Sequence, residues 1–170
     1  DDLEQGRIRF EDATESRAFL ARLASALPPG DPIRQQRLDL VRCYFDFDGR
    51  PAERLAFARE GLARADALDQ PRDAVHWLHC KAGALEVSAD PGEALPPYRE
   101  ALDRANAVGD PYLRADAMTA MSGLLSLRGQ HGEALGLLVE GQQLFEAAGR
   151  GDRAAALQID IGLTYRRIGR

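Results

Sequence analysis

The most constraining feature of this 170-residue chain is an internal repeat with an offset of 40 residues. The segment Pro91-Gly-Glu-Ala-Leu95 returns as His131-Gly-Glu-Ala-Leu135, and Ala107-Val-Gly109 returns as Ala147-Ala-Gly149. Each copy contains two helical runs that a short break separates. A fixed period of this length, with one helical hairpin per copy, is typical of an α-solenoid in which successive hairpins stack.

Composition agrees with closely packed helices and narrows the classes of partner. Hydrophobic residues make up 45% of the chain but aromatic residues only 6%, which favours Ala- and Leu-rich helices over a sheet. The net charge is -5, and arginines alternate with acidic residues, so no basic patch for phosphates is formed. No apolar run approaches the length of a membrane span. We therefore expect no nucleic-acid partner and no direct membrane insertion.

The repeat predicts one all-α domain over residues 1–170, built as a right-handed α-solenoid of antiparallel hairpins. We expect a degenerate lead-in, in which Asp12 and Glu15 form a capping pair, three complete hairpins, and the first helix of a further one. These units are 1–30, 31–69, 70–109, 110–149 and 150–170. The chain is therefore interpreted as a piece of a longer repeat. The predicted breaks are 28–31, 48–51, 69–71, 88–91, 109–111, 128–131 and 149–152, the last with a small insertion.

The same register predicts the core. Apolar residues at helical spacing should face the neighbouring helices and be buried. These are Leu38, Phe45, Leu62, Leu78, Leu85, Leu95, Leu102, Met118, Leu125, Leu135 and Leu138.

Two short patterns resemble the tetratricopeptide repeat. One is Ile161-Gly162-x-x-Tyr165, and the other is the Gly-Glu-Ala-Leu turn at residues 92–95 and 132–135. The resemblance covers residues 31–170 and implies the long-period form of that repeat. Three residues depart from the pattern. Lys81 occupies a usual core position, Trp77 falls one residue before the usual aromatic position, and Arg54 replaces the small Ala of the second helix.

A narrower resemblance concerns the parent protein. Residues 39–43, 122–130 and 162–169 are similar to the repeat region of bacterial proteins that end in a diguanylate cyclase (GGDEF) domain. The resemblance implies a periplasmic sensor domain for signal transduction, with a signal peptide before the repeats and a membrane span after them. The alternative is a cytoplasmic peptide-binding module of a transcription regulator or adaptor.

Tetratricopeptide stacks bind protein or peptide segments in a concave groove that the first helix of each hairpin lines. Aligning the repeats predicts the residues of that groove. They are Asp39, Cys43, Asp46, His76, His79, Gly83, Glu86, Asp116, Thr119, Gly123 and Ser126. The family's clamp for a peptide carboxylate needs Lys and Asn at such places, and this chain lacks them. Gly83 and Gly123 either leave room for a peptide helix or small molecule, or allow close helix packing.

The sequence contains no pattern that predicts catalysis or a cofactor. No positioned base accompanies Cys43 or Cys80, and the carboxylates are scattered along helix faces. His76 and His79, with Cys80 beside them, have a spacing that suits two zinc ligands, but a structural site normally has four. We interpret the histidines as a polar groove wall and expect no metal and no enzyme activity in this chain.

Cys43 and Cys80 occupy the first helices of neighbouring hairpins, three positions apart in repeat register. Parallel packing of these helices would bring the sulfurs close, and an exported protein would allow a disulfide. The alternative is two separate buried cysteines. Cα atoms more than about 7 Å apart would exclude the bridge.

The final helix lacks the second helix of its hairpin. We expect Leu157, Ile161 and Tyr165 to include apolar groups that such a partner would cover. Because exposed apolar solenoid ends associate, this face predicts self-association between copies of the chain.

Overall fold

A computed structural model of the chain describes residues 13–26, 28, 30–47, 50–88 and 91–169. All regular structure in these residues is helical, and they contain no β-strand. The helices are α1 (Ala13–Ala26), α2 (Pro32–Phe45), α3 (Pro51–Ala67), α4 (Pro71–Glu86), α5 (Leu95–Val108), α6 (Pro111–Leu127), α7 (His131–Ala147) and α8 (Gly151–Ile168). The predicted all-α class is confirmed. Asp12 lies outside the described residues, so the predicted capping pair of Asp12 and Glu15 stays a prediction.

Two helices begin at an Asp-Pro pair because the aspartate caps the first turn. The Asp31 carboxylate accepts hydrogen bonds from the backbone N–H groups two and three residues ahead, at 3.1 and 3.0 Å. The Asp110 carboxylate does the same at 2.9 and 3.2 Å. Proline follows each cap at the first helical position, where its missing N–H costs no hydrogen bond.

The breaks after α5, α6 and α7 share one backbone geometry. Gly109, Gly129 and Gly149 have φ values of 71°, 76° and 71°, which favour glycine. In each case the next helix begins two residues later. The predicted insertion after Gly149 is therefore wrong, and α8 begins at Gly151 rather than near Arg153.

The start of α5 also differs from the prediction. Residues Pro91–Ala94 form a 3₁₀ turn, and the α-helix begins only at Leu95. Pro96 and Pro97 follow directly and have no N–H group, so two hydrogen bonds of a continuous α-helix cannot form here. The equivalent prolines are absent from α7, which begins directly at His131.

Each helix packs against its neighbours in sequence, and α4 also contacts both α2 and α6. Small side chains allow this close approach, with Ala58, Ala82, Ala101 and Ala117 fully buried. Six residues of the predicted core are buried: Leu38, Leu78, Leu85, Met118, Leu125 and Leu138. Four are half-buried: Leu62, Leu95, Leu102 and Leu135.

Phe45 is the error in the predicted core, since 38% of its side chain is exposed. It is the last residue of α2. Its ring consequently lies at the edge of a cleft instead of between helices. Among the described helices, none is long and apolar enough to cross a membrane.

Candidate functional site

Two adjoining clefts share part of their lining, and together we call them the groove. The first cleft has a volume of about 430 Å³ and is lined by α2, α4 and α6, with single residues from α3, α5 and α8. The second has a volume of about 470 Å³ and is lined mainly by α6 and α8. Tyr98 and Ala120 line both clefts, so one surface runs from α2 to α8.

Most of the predicted groove residues lie on this surface. Four line the first cleft: His76, His79, Gly83 and Asp116. Four line the second cleft: Glu86, Thr119, Gly123 and Ser126. The residues predicted on α4 and α6 therefore lie along the two clefts.

The three residues predicted on α2 do not line the groove. Asp39 is buried and binds Arg64 of α3 at 2.9 Å, and Asp46 lies 3.7 Å from Arg42. Cys43 is fully buried. The face of α2 that lines the first cleft instead carries Leu40, Val41, Tyr44 and Phe45. The predicted register of α2 was about one residue off, which rotates a helix by about 100°.

Cys43 and Cys80 are joined in a disulfide that links α2 to α4. Their Cα atoms are 6.3 Å apart, within the range that a bridge allows. Both residues are fully buried. Cys80 lines neither cleft, and its sulfur is bonded to Cys43 and is not a free thiol beside the two histidines.

The two groove glycines have different roles. A Cβ atom at Gly123 would meet nothing within 4 Å, so this glycine is not required for helix packing and leaves open space in the second cleft. A Cβ atom at Gly83 would lie 3.4 Å from the Arg54 guanidinium. A side chain at residue 83 would therefore contact the Arg54 cation at an ordinary van der Waals distance.

Arg54 is a groove residue that the repeat register did not predict. It belongs to α3, a second helix, yet its side chain reaches the first cleft. Its Nε donates to the Cys80 sulfur at 3.4 Å, and its guanidinium lies 5.9 Å from the centre of the Tyr44 ring. The sequence signal was the arginine at a position where the repeat normally has a small residue.

A polar cluster spans α4, α6 and α8 at the first cleft. Nδ1 of His79 lies 3.5 Å from Oδ2 of Asp116, and the Arg153 guanidinium donates to Oδ1 of Asp116 at 2.7 Å. Burial would raise the pKa of the Asp116 carboxyl. The polar contact with His79 and the charges of His79, His76 and Arg153 outweigh that effect and hold the pKa below its usual value. Asp116 is therefore ionised at neutral pH.

A second polar pair lies where the clefts meet. Burial raises the pKa of Glu86, although a hydrogen bond with Tyr98 and the charge of Arg54 oppose the change. Burial also raises the pKa of the Tyr98 phenol, and the neighbouring Glu86 raises it further. The groove floor thus combines a buried phenol and a carboxylate with the Arg54 cation.

The predicted association face of α8 requires correction. Leu157 is buried against α7, and Ile161 is half-buried against the same cluster, whereas Tyr165 is 37% exposed. The first two residues share the face of α8 that α7 already covers. The most exposed apolar residue of α8 is instead Ile159, at 68%. Self-association remains a prediction, with Leu157 removed from the contact.

No protein-family model, no curated protein and no solved structure matches this chain.

Proposed function

We propose that this chain is a non-catalytic, tetratricopeptide-like module that binds a segment of a partner protein in the groove. The observation that carries the proposal is the groove itself, since its two clefts adjoin and follow the helices that the repeat register assigns to a binding surface. The proposed architecture is a right-handed α-solenoid of antiparallel hairpins over residues 31–169.

A set of ion pairs between equivalent helices supports this architecture. Each joins two residues that are 36 to 38 positions apart, close to one repeat period. They are Arg37–Asp73, Arg72–Asp110, Arg104–Asp66 and Arg153–Asp116. Three of the four connect first helices along the series α2, α4, α6 and α8. Such one-period contacts are expected where each hairpin stacks on the next.

The chemistry of the first cleft indicates the class of segment. Tyr44, Tyr98 and Tyr112 supply aromatic surface, and Arg54 supplies a cation. Aromatic and arginine side chains are enriched at binding hot spots because they combine apolar area with directed polar contacts. We therefore propose that the segment carries an apolar or aromatic anchor next to an acidic residue.

The test is selection from a random peptide library with purified protein, followed by affinity measurements on the selected peptides. Gly123→Trp should fill the second cleft and weaken binding at least tenfold, because open space at this residue is part of the groove. Arg54→Gln should weaken peptides that carry an acidic residue more than those without one.

Gly136 offers a matched control for the groove substitution. It is another exposed glycine inside a helix, on α7, where a Cβ atom also meets nothing within 4 Å, but it lines neither cleft. Gly136→Trp should therefore bind the selected peptides as the native chain does. Equal binding by Gly123→Trp and the native chain would contradict the proposal.

We further propose that the module regulates an output domain in bacterial signalling, with a diguanylate cyclase as the first candidate. The proposal rests on the sequence resemblance, and the Cys43–Cys80 bridge supports the oxidising periplasm that this resemblance implies. The alternative is a cytoplasmic regulator or adaptor. The complete reading frame tests both hypotheses, since an export signal, a membrane span and a cyclase domain are required by the first alone.

A further inference from the structure

Three side chains with metal-ligating atoms converge in the first cleft. His76 and His79 lie one turn apart on α4, and Asp116 comes from α6. One donor atom from each residue lies within 4.8 Å of the other two. Residues three apart share one face of a helix, so both imidazoles reach the same side of α4.

His79 has an arrangement that protein contacts alone do not explain. Its side chain is only 6% exposed, and its Nε2 atom is buried without a hydrogen-bond partner in the described part of the chain. Its Nδ1 lies 3.5 Å from Oδ2 of Asp116, which is longer than a good N–H···O hydrogen bond of about 2.7–3.2 Å. The observation that points to a ligand is therefore the Nδ1–Oδ2 pair, where a cation could bind both atoms in place of a weak hydrogen bond. Nε2 lies on the other edge of the ring and would not bind that cation.

We propose that His76, His79 and Asp116 form a binding site for a divalent transition-metal ion, with zinc as the reference ion. Two ligands of a tetrahedral zinc ion lie about 3.3 Å apart, given metal–ligand bonds of about 2.0–2.1 Å. The distance of 3.5 Å between His79 and Asp116 matches that spacing. Imidazole nitrogens with one carboxylate oxygen are ligands that such ions accept.

The third ligand and the fourth position follow from the place of the cluster. His76 is half-buried and lines the cleft, and one of its ring nitrogens lies within 4.8 Å of a donor atom of each of the other two residues. Three protein ligands leave one coordination position for water or for a donor atom from the groove's occupant.

Arg153 holds the carboxylate in place but also opposes the cation. It donates to Oδ1 of Asp116 at 2.7 Å, which orients the group and leaves Oδ2 directed toward His79. Hydrogen bonds that orient a ligand strengthen a metal site, whereas the nearby positive charge weakens it. We therefore expect micromolar rather than nanomolar affinity.

The zinc titration uses no peptide, so its outcome does not depend on the proposed peptide partner. The chain has two cysteines, and both are bridged, so thiolates do not contribute ligands. It has three histidines, and the third, His131, lies at the start of α7 and lines neither cleft. His131→Ala is therefore a matched control for the loss of a histidine.

The experiment is a calorimetric titration of the tag-free, disulfide-bonded protein with zinc chloride. We expect one ion per chain, and Co²⁺ should give the visible absorption of a site with nitrogen and oxygen ligands. His76→Ala, His79→Ala and Asp116→Asn should each lower the zinc affinity by about tenfold or more. His131→Ala should bind zinc as the native chain does.

Circular dichroism without metal verifies that each variant is folded. His76 is half-buried, so His76→Ala keeps the test valid if substitution of the buried His79 prevents folding. The proposal is overturned if the native chain shows no saturable binding up to about 100 µM zinc, the weak end of useful affinities. It is equally overturned if His76→Ala and Asp116→Asn bind as tightly as the native chain.

Discussion

At the scale of single residues, Gly61 packs directly against the indole ring of Trp77. A Cβ atom at Gly61 would lie 2.4 Å from three carbons of the Trp77 indole, which is fully buried. Glycine inside a helix normally costs about 1 kcal/mol relative to alanine. Here the absence of a side chain is what allows a large aromatic ring to fit between α3 and α4.

Gly61→Ala should therefore lower the free energy of unfolding by about 1–3 kcal/mol, as for other overpacked cores. Gly141 is its equivalent two periods later, and a Cβ atom there would meet its nearest atom at an ordinary 3.5 Å. Gly141→Ala should leave stability unchanged or raise it by up to about 1 kcal/mol. Urea unfolding followed by circular dichroism measures both. Equal stability of the two variants would contradict this account of Gly61.

Residue-level features were the hardest to predict from the sequence. Trp77 was recognised as one position away from the usual aromatic site, but nothing in the pattern showed that Gly61 accommodates it. Arg54 was recognised as a departure, but the direction of its side chain was not. A repeat register specifies which face a residue occupies. The reach of a long side chain across helices depends on packing that the register does not contain.

At the scale of helices, the Asp-Pro pairs at the starts of α2 and α6 are visible in the sequence, and Asp110 also forms an ion pair with Arg72. Burial would raise the pKa of Asp110, but hydrogen bonds from Leu113 and Tyr112 and the ion pair with Arg72 outweigh it and lower the pKa below its usual value. The folded state therefore binds its proton less tightly than the unfolded state. The resulting stabilisation is fully present above the unfolded pKa of about 3.9 and is lost as the pH falls toward the lower folded value.

Asp110→Asn should accordingly reduce the free energy of unfolding by about 1 kcal/mol at pH 7, because asparagine keeps the cap but loses the charge. The difference from the native chain should shrink as the pH falls below about 4. Chemical unfolding at several pH values measures it. Asp103→Asn, at an exposed position of α5, serves as the control. A difference that stays constant between pH 7 and pH 3 would contradict the charge argument.

The helices themselves were largely predictable, because caps, prolines and glycines fix their ends locally. The observed ends lie within a few residues of the predicted ones, apart from the 3₁₀ turn before α5. That exception arose because matching Pro91-Gly-Glu-Ala-Leu95 to its copy at 131–135 ignored Pro96 and Pro97. The groove-facing side of α2 was not predictable from the same register, because its disulfide and its Asp39–Arg64 pair orient it toward α3 and α4.

At the scale of the whole molecule, contacts between residues about one repeat period apart link helices that are not adjacent in sequence. The Cys43–Cys80 bridge is the covalent member of this set and connects residues 37 positions apart. Ion pairs such as Arg37–Asp73 lie between the same two helices, α2 and α4. The arginine is 63% exposed, however, and exposed pairs contribute little. The bridge should therefore dominate the coupling of α2 to the rest of the chain.

The bridge restricts the conformations of the unfolded chain. Removing it should therefore favour the unfolded state and lower the free energy of unfolding. Closing a loop of this length contributes about 4 kcal/mol in the chain-entropy account. Cys43→Ala with Cys80→Ala should thus lower the midpoint of urea unfolding, and reductant should lower it for the native chain but not for this double variant. The independent check is thiol titration of the native chain in denaturant without reductant, where no free thiol is expected. Two reactive thiols per chain, or a midpoint unaffected by reductant, would show that α2 is held to α4 by packing alone.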